Sequence, residues 1–298
     1  MKKEDKCQWI KPKKKTQSEK KRIELKKWQK ILLAMVALFV CFTLWMIWGN
    51  ISLQVTNYTI TSSRLPDSFD GFKIVQISDL HDAEFGEDNI RLANKVRKIA
   101  PDIIVLTGDF VDSFRPDVDQ SVSFASQAVQ IAPTYYVPGN HEARLNDPSL
   151  YEKLTEAGVT VLFNKSVPLV RGNEQIQLIG LMDISFKEAK DTVKALSALM
   201  PKDDSYTVLL SHRPEPFEKY VQCKPDLVLC GHVHGGQARL PFIGGIYGSN
   251  QGFFPEYDAG VYTSGRTNMI ISRGLGNSRF PIRFNNRPEI VVVTLEKG

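Results

Sequence analysis

Five short apolar runs, each stopped abruptly by Asp, Asn, His or Gly, constrain the fold of this chain more than any other feature. The runs with the polar residues that end them are 73–78 with Asp79-Leu-His81, 102–107 with Gly108-Asp109, 134–138 with Gly139-Asn-His-Glu142, 206–211 with His212, and 226–230 with Gly231-His-Val-His234. Near-continuous apolar runs of this length are typical of strands that are buried on both faces of a sheet.

Amphipathic patterns between these runs predict helices at 87–99, 119–131, 148–157 and 187–199. In the third helix, Pro148 follows Asp147 as a first-turn proline follows an N-cap. Further strands are predicted at 159–163, 167–170, 175–181, 268–272 and 289–295. Alternating strands and helices indicate an α/β fold with parallel strands, in which ligands bind at the carboxyl ends of the strands. The polar clusters are therefore expected to meet in one crevice.

The histidines indicate metal chemistry in that crevice. The 298-residue chain has only five, and all lie in the polar clusters: His81, His141, His212, His232 and His234. A lone histidine is more often structural than a ligand, but these five accompany Asp79, Asp109 and Asn140. Carboxylate and amide oxygens mixed with imidazole nitrogens suit Mn, Fe, Zn or Ni better than an oxygen-only Ca or Mg cage. The set is too large for one tetrahedral ion and suits two ions that share a carboxylate.

The first fifty residues differ from the rest in composition. Residues 1–30 hold 13 Lys/Arg and 4 Asp/Glu, whereas residues 31–298 hold 25 Lys/Arg and 29 Asp/Glu. The net charge of +5 therefore reflects a basic tail, and the body carries no evident nucleic-acid patch. Four cysteines are too few for a disulfide framework, and Cys223 and Cys230 are expected to lie too far apart to bridge.

Residues 31–48 form an uncharged apolar segment long enough to cross a bilayer as a helix. Trp28 precedes it, and Trp45 and Trp48 end it, as interfacial aromatics do. The alternative is a cleaved signal peptide, but no small-residue cleavage pattern follows. An uncleaved, single-pass anchor is predicted in the cell membrane. Because the positive charge precedes it, the N-terminus is expected in the cytoplasm and the catalytic domain outside.

The ordered motifs resemble those of one known family. D-x-H at 79–81, G-D at 108–109, G-N-H-E at 139–142, His212 and G-H-x-H at 231–234 resemble, as a set, the calcineurin-like metallophosphoesterases. The resemblance covers residues 72–298. Segments 235–242, 254–258, 272–276 and 283–289 resemble the bacterial membrane- or wall-associated phosphodiesterase branch. The resemblance implies a four-layer αββα sandwich with a dimetal site at the edge where two sheets meet.

The resemblance also implies roles for the polar residues. Asp79, His81 and His234 resemble the ligands of one metal, Asn140, His212 and His232 those of the second, and Asp109 the carboxylate that bridges them. His141 resembles the general acid or the phosphate-contacting histidine. The expected reaction is in-line attack on phosphorus by a hydroxide held between two divalent ions, which are Mn, Zn, Fe or Ni.

The residues that flank these motifs leave alternatives open. Glu142 either orients His141 or is a solvated loop carboxylate. Cys230 is a core residue rather than a thiolate ligand. The residues that either clamp phosphate or lie free on the surface are Arg144, Arg213 and Arg239. The residues that form either an apolar lip for a lipid or wall substrate or plain loop packing are Phe242, Ile243, Phe253 and Phe254.

The sequence as a whole predicts a membrane-anchored metallophosphoesterase that hydrolyses phosphodiesters or phosphomonoesters. Its expected organisation is a basic tail at 1–30, an anchor at 31–48, a linker with a first strand at 49–71 and the catalytic domain at 72–298. One alternative is a lipid-linked pyrophosphate hydrolase similar to UDP-diacylglucosamine pyrophosphatases. Another is a non-catalytic scaffold, which predicts eroded ligand motifs, and none is eroded here.

Overall fold

The computed structural model describes residues 26–189 and 191–298, so most of the basic tail lies outside the described residues. The chain divides into two compact units, Met1–Thr43 and Leu44–Gly298. Helix α1, Lys27–Ile51, begins in the first unit and ends in the second, and it extends the predicted segment at both ends. It is long and apolar enough to cross a membrane, and none of its residues is buried.

Within the described residues, the second unit contains six further α-helices, three one-turn 3₁₀ helices (Asp67–Phe69, Glu87–Asn89 and His234–Gly236) and sixteen strands. The helices are α2 Ile90–Ile99, α3 Val118–Val129, α4 Asn140–Leu145, α5 Pro148–Glu156, α6 Thr192–Leu199 and α7 Phe217–Cys223. The strands are β1 Gln54–Ser62, β2 Lys73–Ile77, β3 Ile103–Thr107, β4 Thr134–Val137, β5 Thr160–Val161, β6 Lys165–Arg171, β7 Glu174–Gly180, β8 Thr207–Leu210, β9 Leu227–Cys230, β10 Arg239–Leu240, β11 Gly244–Gly245, β12 Tyr247–Gly248, β13 Gly252–Phe253, β14 Gly260–Ser264, β15 Thr267–Ile271 and β16 Glu289–Lys297.

Two six-stranded sheets carry the fold. The first has the order β1-β16-β2-β3-β4-β5 and the second the order β14-β15-β9-β8-β7-β6. The predicted parallel arrangement holds across the centre of each sheet, where the apolar runs pair. Antiparallel neighbours occur between β16 and β2, and at both edges of the second sheet. These exceptions were not predicted, because pairing direction depends on where the chain returns and not on local hydrophobicity.

The two sheets pack face to face, with helices on their outer faces. Ile74 and Val105 of the first sheet share one buried cluster with Leu178 and Val208 of the second. Helices α2, α3 and α5 cover the outer face of the first sheet, and α6 and α7 cover that of the second. Burying one large aliphatic or aromatic side chain contributes about 1.5–3 kcal/mol. The resulting helix–sheet–sheet–helix layers confirm the predicted αββα sandwich.

Several local predictions hold and others needed correction. Asp147 caps α5 as expected, since its side chain accepts a hydrogen bond from Ser149 N at 2.9 Å. Helix α6 begins five residues later than predicted, because Asp191 caps it through Lys194 N. The short helices α4 and α7 were not predicted, because six or seven residues carry too little periodicity. Cys41, Cys223 and Cys230 are free, which confirms the absence of a bridge among the described cysteines.

Candidate active site

The carboxyl ends of five strands bring all eight predicted side chains together. Strands β2, β3 and β4 of the first sheet and β8 and β9 of the second end at the same edge of the sandwich. The side chains placed there are Asp79, His81, Asp109, Asn140, His141, His212, His232 and His234. All are buried except His234, which is partly exposed.

Unusual backbone conformations turn these side chains inward. Asp79, His81, Asp109, His232 and His234 have φ between 45° and 72°, in the left-handed region. Non-glycine residues adopt this region uncommonly, although Asp, Asn and His do so more often than others. Strained conformations of this kind cluster at functional sites, where the surrounding fold maintains them. These conformations lie in the segments that follow β2, β3 and β9, where they allow the polar side chains to gather at the strand ends.

Two glycines make room for this arrangement. At Gly231 a Cβ atom would overlap Ser78 Oγ and the Asp79 carboxylate. At Gly108, where φ is +81°, a Cβ atom would lie 2.7 Å from His212 Nδ1. Because these positions admit no side chain, the two sheets approach closely enough for ligands from both to meet.

One group of potential ligands comes from β2 and β9. His81 Nε2 lies 3.2 Å from His234 Nε2, and His234 Nε2 lies 3.6 Å from Asp79 Oδ1. The Asp79 carboxylate is held by His232 N–H, which donates to both of its oxygens at 3.0 and 3.1 Å. These three side chains are close enough together to hold one metal ion.

A second group comes from β3, β4, β8 and β9. His212 Nε2 lies 3.1 Å from His232 Nδ1 and 3.2 Å from Asp109 Oδ2. The Asn140 amide oxygen lies 2.7 Å from His232 Nδ1 and 3.3 Å from His212 Nε2. Without a cation, exchanging the amide oxygen and nitrogen would satisfy hydrogen bonding better. A cation between these atoms would instead favour the oxygen where it lies, since amide oxygen is a metal ligand and the amide nitrogen is not.

Asp109 lies between the two groups. Its Oδ2 atom is 3.2 Å from His212 Nε2 in the second group and 3.8 Å from His81 Nε2 in the first. Its other oxygen accepts a hydrogen bond from His141 N–H at 2.8 Å, which fixes the carboxylate plane. One carboxylate oxygen is thus positioned to serve both groups.

The electrostatics of the crevice depend on burial and on Asp109. Burial lowers the pKa of His81 to about 3 and holds the pKa of His234 well below its usual range. Burial alone would lower the pKa of His212, but the Asp109 carboxylate raises it to about 10. Burial likewise opposes ionisation of Asp109, but His212 holds the pKa of Asp109 well below its usual range. In the absence of cations, a proton on His212 therefore balances Asp109, while the imidazoles of His81 and His234 stay neutral.

His141 is held so that its Nε2 atom can act as a hydrogen-bond donor. Ser113 N–H donates to His141 Nδ1 at 3.0 Å, so the proton of the neutral ring lies on Nε2. Burial lowers the pKa of His141, which favours this neutral form. Asp112 Oδ1 lies 3.2 Å from the same Nδ1 and can accept a hydrogen bond from Nδ1–H when the ring is charged. His141 Nε2 lies 3.9 Å from Asp109 Oδ2 and so faces the crevice.

Glu142 has a role that neither sequence alternative described. It is buried, so it is not a solvated loop carboxylate. Its two oxygens accept four backbone hydrogen bonds, from the N–H groups of Asp109, Phe110, Val111 and Gly139. Glu142 therefore fastens the ends of β3 and β4 together beneath the site and does not orient His141.

The three flanking arginines occupy different environments. Arg213 is buried, pairs with Asp183 at 2.8 Å and approaches His232 Nε2 at 3.2 Å, so it is not a free surface residue. Arg239 pairs with Asp258 at 2.9 Å. Arg144 lines the cavity in front of the site. Cys230 is a core residue, as expected, and burial holds the pKa of its thiol well above its usual range.

Two residues near the site were not singled out for this position from the sequence. Glu215 Oε1 lies 3.4 Å from His232 Nε2, and neither Glu215 oxygen has a hydrogen-bond partner among the described residues. The guanidinium of Arg283 is fully buried and lies 3.2 Å from His234 Nδ1. No local pattern marks either residue, because both reach the site through long-range packing.

A cavity of about 380 Å³ opens in front of the two groups. Asp109, His141 and His232 form part of its floor, and Arg144, Tyr247 and Phe280 form part of its walls. The cavity is large enough for a phosphate ester. Arg144 can contact the phosphoryl group, and Tyr247 and Phe280 can contact an apolar leaving group.

A four-layer sandwich whose strand ends gather His and Asp side chains that could hold metal ions defines a class, the metal-dependent phosphoester hydrolases. Residues 72–236 match the calcineurin-like phosphoesterase family, and the chain belongs to it. The family uses divalent metal ions, and this chain is a phosphoester hydrolase.

Relatives include bacterial and animal proteins. The chain is 34% identical over 255 residues to the metallophosphoesterase YkuE of Bacillus subtilis (strain 168), covering 82% of this chain and 86% of the relative. It is 32% identical over 238 residues to the phosphodiesterase YaeI of Escherichia coli (strain K12), covering 75% and 82%. It is 30% identical over 260 residues to a Bos taurus transmembrane protein with metallophosphoesterase domain, covering 81% of this chain but 57% of that protein.

Proposed function

We propose that this chain is a membrane-anchored, two-metal phosphoesterase that hydrolyses phosphodiester or phosphomonoester bonds. The observation that carries the proposal is the position of Asp109 Oδ2 between two groups of imidazole and oxygen donors. The proposed ligands of the first ion are Asp79, His81, Asp109 and His234, and those of the second are Asp109, Asn140, His212 and His232. The relative YaeI is named a phosphodiesterase, which favours a phosphodiester as the substrate.

The donor set fits a pair of divalent transition ions. Each proposed site combines two imidazole nitrogens with carboxylate or amide oxygens, a mixture that suits Mn, Fe, Zn or Ni. Neutral imidazoles are ready ligands, and burial keeps His81 and His234 in that form. When bound, such a pair of ions activates water and stabilises the charge that develops on the phosphoryl oxygens.

The chain's own residues would then orient the ester and move one proton. His141 Nε2–H faces the crevice and would donate to the leaving oxygen or to a phosphoryl oxygen. Transfer of the Nε2 proton to the leaving oxygen would start from the charged ring, whose Nδ1–H lies 3.2 Å from Asp112 Oδ1, and would leave a neutral ring with its proton on Nδ1. Arg144, in the cavity wall, would contact the phosphoryl oxygens through its guanidinium.

Helix α1 supplies the proposed anchor. Its composition and length suit a single span, and the positive charge of the preceding residues favours a cytoplasmic N-terminus with the catalytic unit on the other side. The name of the Bos taurus relative, a transmembrane protein with a metallophosphoesterase domain, is in keeping with an anchor. Protease treatment of intact cells tests the orientation, and cleavage of the catalytic unit is the expected result.

The full chain in detergent provides the test of activity. Metal is removed with a chelator, Mn, Zn, Fe or Ni is restored in turn, and hydrolysis of p-nitrophenyl phosphate and bis-p-nitrophenyl phosphate is measured. We expect no activity without metal, recovery with at least one of the four ions, and neither recovery nor metal binding in Asp109→Ala. The matched control is Asp119→Asn, which changes an exposed carboxylate and should leave turnover unchanged. Activity in the metal-stripped chain would refute the proposal.

A further inference from the structure

Six large apolar side chains are exposed on chain segments that neighbour the cavity-lining residues, and one of them, Phe280, lines the cavity itself. This apolar rim consists of Phe242, Ile243, Phe253, Phe254, Phe280 and Ile282, whose exposed fractions lie between 58% and 109%. Single exposed apolar residues are ordinary on protein surfaces. A group of large ones next to a functional site instead marks a surface that a membrane or another molecule covers.

The rim is held together by backbone and side-chain hydrogen bonds. Phe254 N–H donates to Ile246 O at 2.9 Å, and Ile246 N–H donates to Ala238 O at 2.9 Å. These bonds join the β10–β11 hairpin, whose turn carries Phe242, to β13, which carries Phe253. Gln237 Nε2 donates to the carbonyls of Phe280 and Ile282, each at 2.9 Å. The rim is therefore one built surface and not a set of independent loops.

The same surface is joined to the end of the apolar helix. Asn50 pairs with the backbone of Arg283, next to Ile282, through two hydrogen bonds of 2.7 and 2.9 Å. Trp45 packs edge-on against Phe284 with ring centroids 5.5 Å apart, and Arg287 stacks over Trp48 at 4.6 Å. Arg239 N–H donates to Phe284 O at 3.0 Å, which links this junction to the hairpin that carries Phe242.

These contacts fix the height of the rim relative to a bilayer. Tryptophans at the end of a spanning helix lie at the headgroup level, and Trp45 and Trp48 are about 4.5 Å apart along the helix axis. Arg283, Phe284 and Arg287 contact the end of α1, which places this part of the segment 280–287 near the same level. Phe280 and Ile282 then have a lipid surface within reach.

We propose that the apolar rim is a membrane-contact surface, which inserts into the leaflet around the end of α1 and directs the cavity mouth at the lipid headgroups. The proposal rests on the anchoring role of α1 and deepens the proposed function, because it makes phosphoesters carried by lipids the substrate class that reaches the site. Arg279, exposed between rim and cavity, places a cation where headgroup phosphates would lie.

A labelled full chain tests the contact without reference to activity. Cys7, Cys41 and Cys223 are replaced by Ser, and the buried Cys230, whose raised thiol pKa keeps it unreactive, is retained. Phe242→Cys is then labelled with an environment-sensitive fluorophore and placed in nanodiscs of phosphatidylethanolamine and phosphatidylglycerol. The matched control is Val170→Cys, an exposed apolar position on β6.

We expect the label at position 242 to show a blue-shifted emission and at least a twofold stronger quenching by nitroxide-bearing lipids than the label at 170. Equal quenching at the two positions would overturn the proposal. A blue shift without lipid quenching would also overturn it and would assign the rim to contact with another protein.

A kinetic measurement addresses the substrate class. In the double variant Phe242→Ser, Ile243→Ser, hydrolysis of bis-p-nitrophenyl phosphate should be unchanged, which also shows that the chain is folded. Hydrolysis of a phosphodiester carried by a lipid in the same nanodiscs should fall at least tenfold. An equal rate on the lipid substrate would contradict the proposed substrate class. If the unsubstituted chain hydrolysed neither substrate, the proposed function would be refuted. The fluorescence measurement would still decide whether the rim contacts the membrane.

Discussion

Two hydrogen bonds between Asn50 and the backbone of Arg283 join the end of the apolar helix to the candidate active site. Asn50 Oδ1 accepts from Arg283 N–H at 2.7 Å, and Asn50 Nδ2 donates to Arg283 O at 2.9 Å. The guanidinium of the same arginine donates to the carbonyls of Arg273 and Gly276 and lies 3.2 Å from His234 Nδ1. One residue thus contacts both the helix end and a proposed metal ligand.

Replacing Asn50 tests this connection. Asn50→Leu removes both hydrogen bonds and leaves the Arg283 N–H and carbonyl without their partner, so the free energy of unfolding should fall by about 1–3 kcal/mol. Urea unfolding of the full chain in detergent measures this. Asn57→Leu, at an exposed position on β1, is the matched control and should change stability by less than about 0.5 kcal/mol. Equal effects of the two changes would contradict the structural role of the pair.

Glu142→Gln should be strongly disruptive although it conserves shape. Each carboxylate oxygen of Glu142 accepts two backbone N–H groups, and the amide nitrogen of Gln would place a donor against two of these donors. Two unsatisfied buried N–H groups cost about 1–3 kcal/mol each, so we expect a loss of about 2–6 kcal/mol in stability. Glu152→Gln, on the exposed side of α5, is the control. Wild-type stability of Glu142→Gln would show that these hydrogen bonds are unimportant.

His141→Ala separates proton transfer from metal binding. Because Nδ1 is occupied by Ser113 N–H and Nε2 faces the crevice, removal of the ring should lower turnover by about 10²–10⁴-fold. The metal content should stay at the wild-type level, since no proposed ion depends on this ring. Steady-state kinetics and elemental analysis of the same preparation measure both quantities. A variant that loses its metal would show that His141 is a ligand.

Glu215 is expected to position His232. Its carboxylate lies 3.4 Å from His232 Nε2, so it would orient the ring from the side opposite to the proposed ligand atom Nδ1. Loss of such an acceptor behind a metal-binding imidazole typically costs 10–100-fold in metal affinity or activity. We therefore expect Glu215→Ala to weaken binding of one of two ions by that factor, with partial rescue in Glu215→Gln. The exposed Glu218→Gln is the control, and isothermal titration of stripped protein is the measurement.

The metal-stripped chain should lose stability as the pH rises. Asp109 raises the pKa of His212 to about 10 against the lowering effect of burial. Because the folded-state pKa lies above the ordinary value near 6.5, this contribution is fully present below pH 6.5 and is lost as the pH rises to about 10. Thermal unfolding of the stripped chain across that range measures it. The metal-loaded chain should show a weaker pH dependence, because bound cations would replace the proton beside Asp109.

Much of the fold and of the site follows from local sequence. Strands β2, β3, β4, β8 and β9 were predicted because double-sided burial produces continuous apolar runs, and the polar residues that end them identify the edge where ligands meet. The remaining features depend on contacts between distant residues. Glu142 occupies its position because the end of β3 presents N–H groups to it, and Asn50 finds a partner 233 residues away. No periodicity or motif encodes such pairs.

The most direct test of the central claim is anomalous X-ray diffraction from crystals of the full chain prepared with Mn. The account predicts two anomalous peaks in each molecule, one among Asp79, His81 and His234 and one among Asn140, His212 and His232, with Asp109 contacting both. A single peak, or peaks away from these side chains, would contradict it.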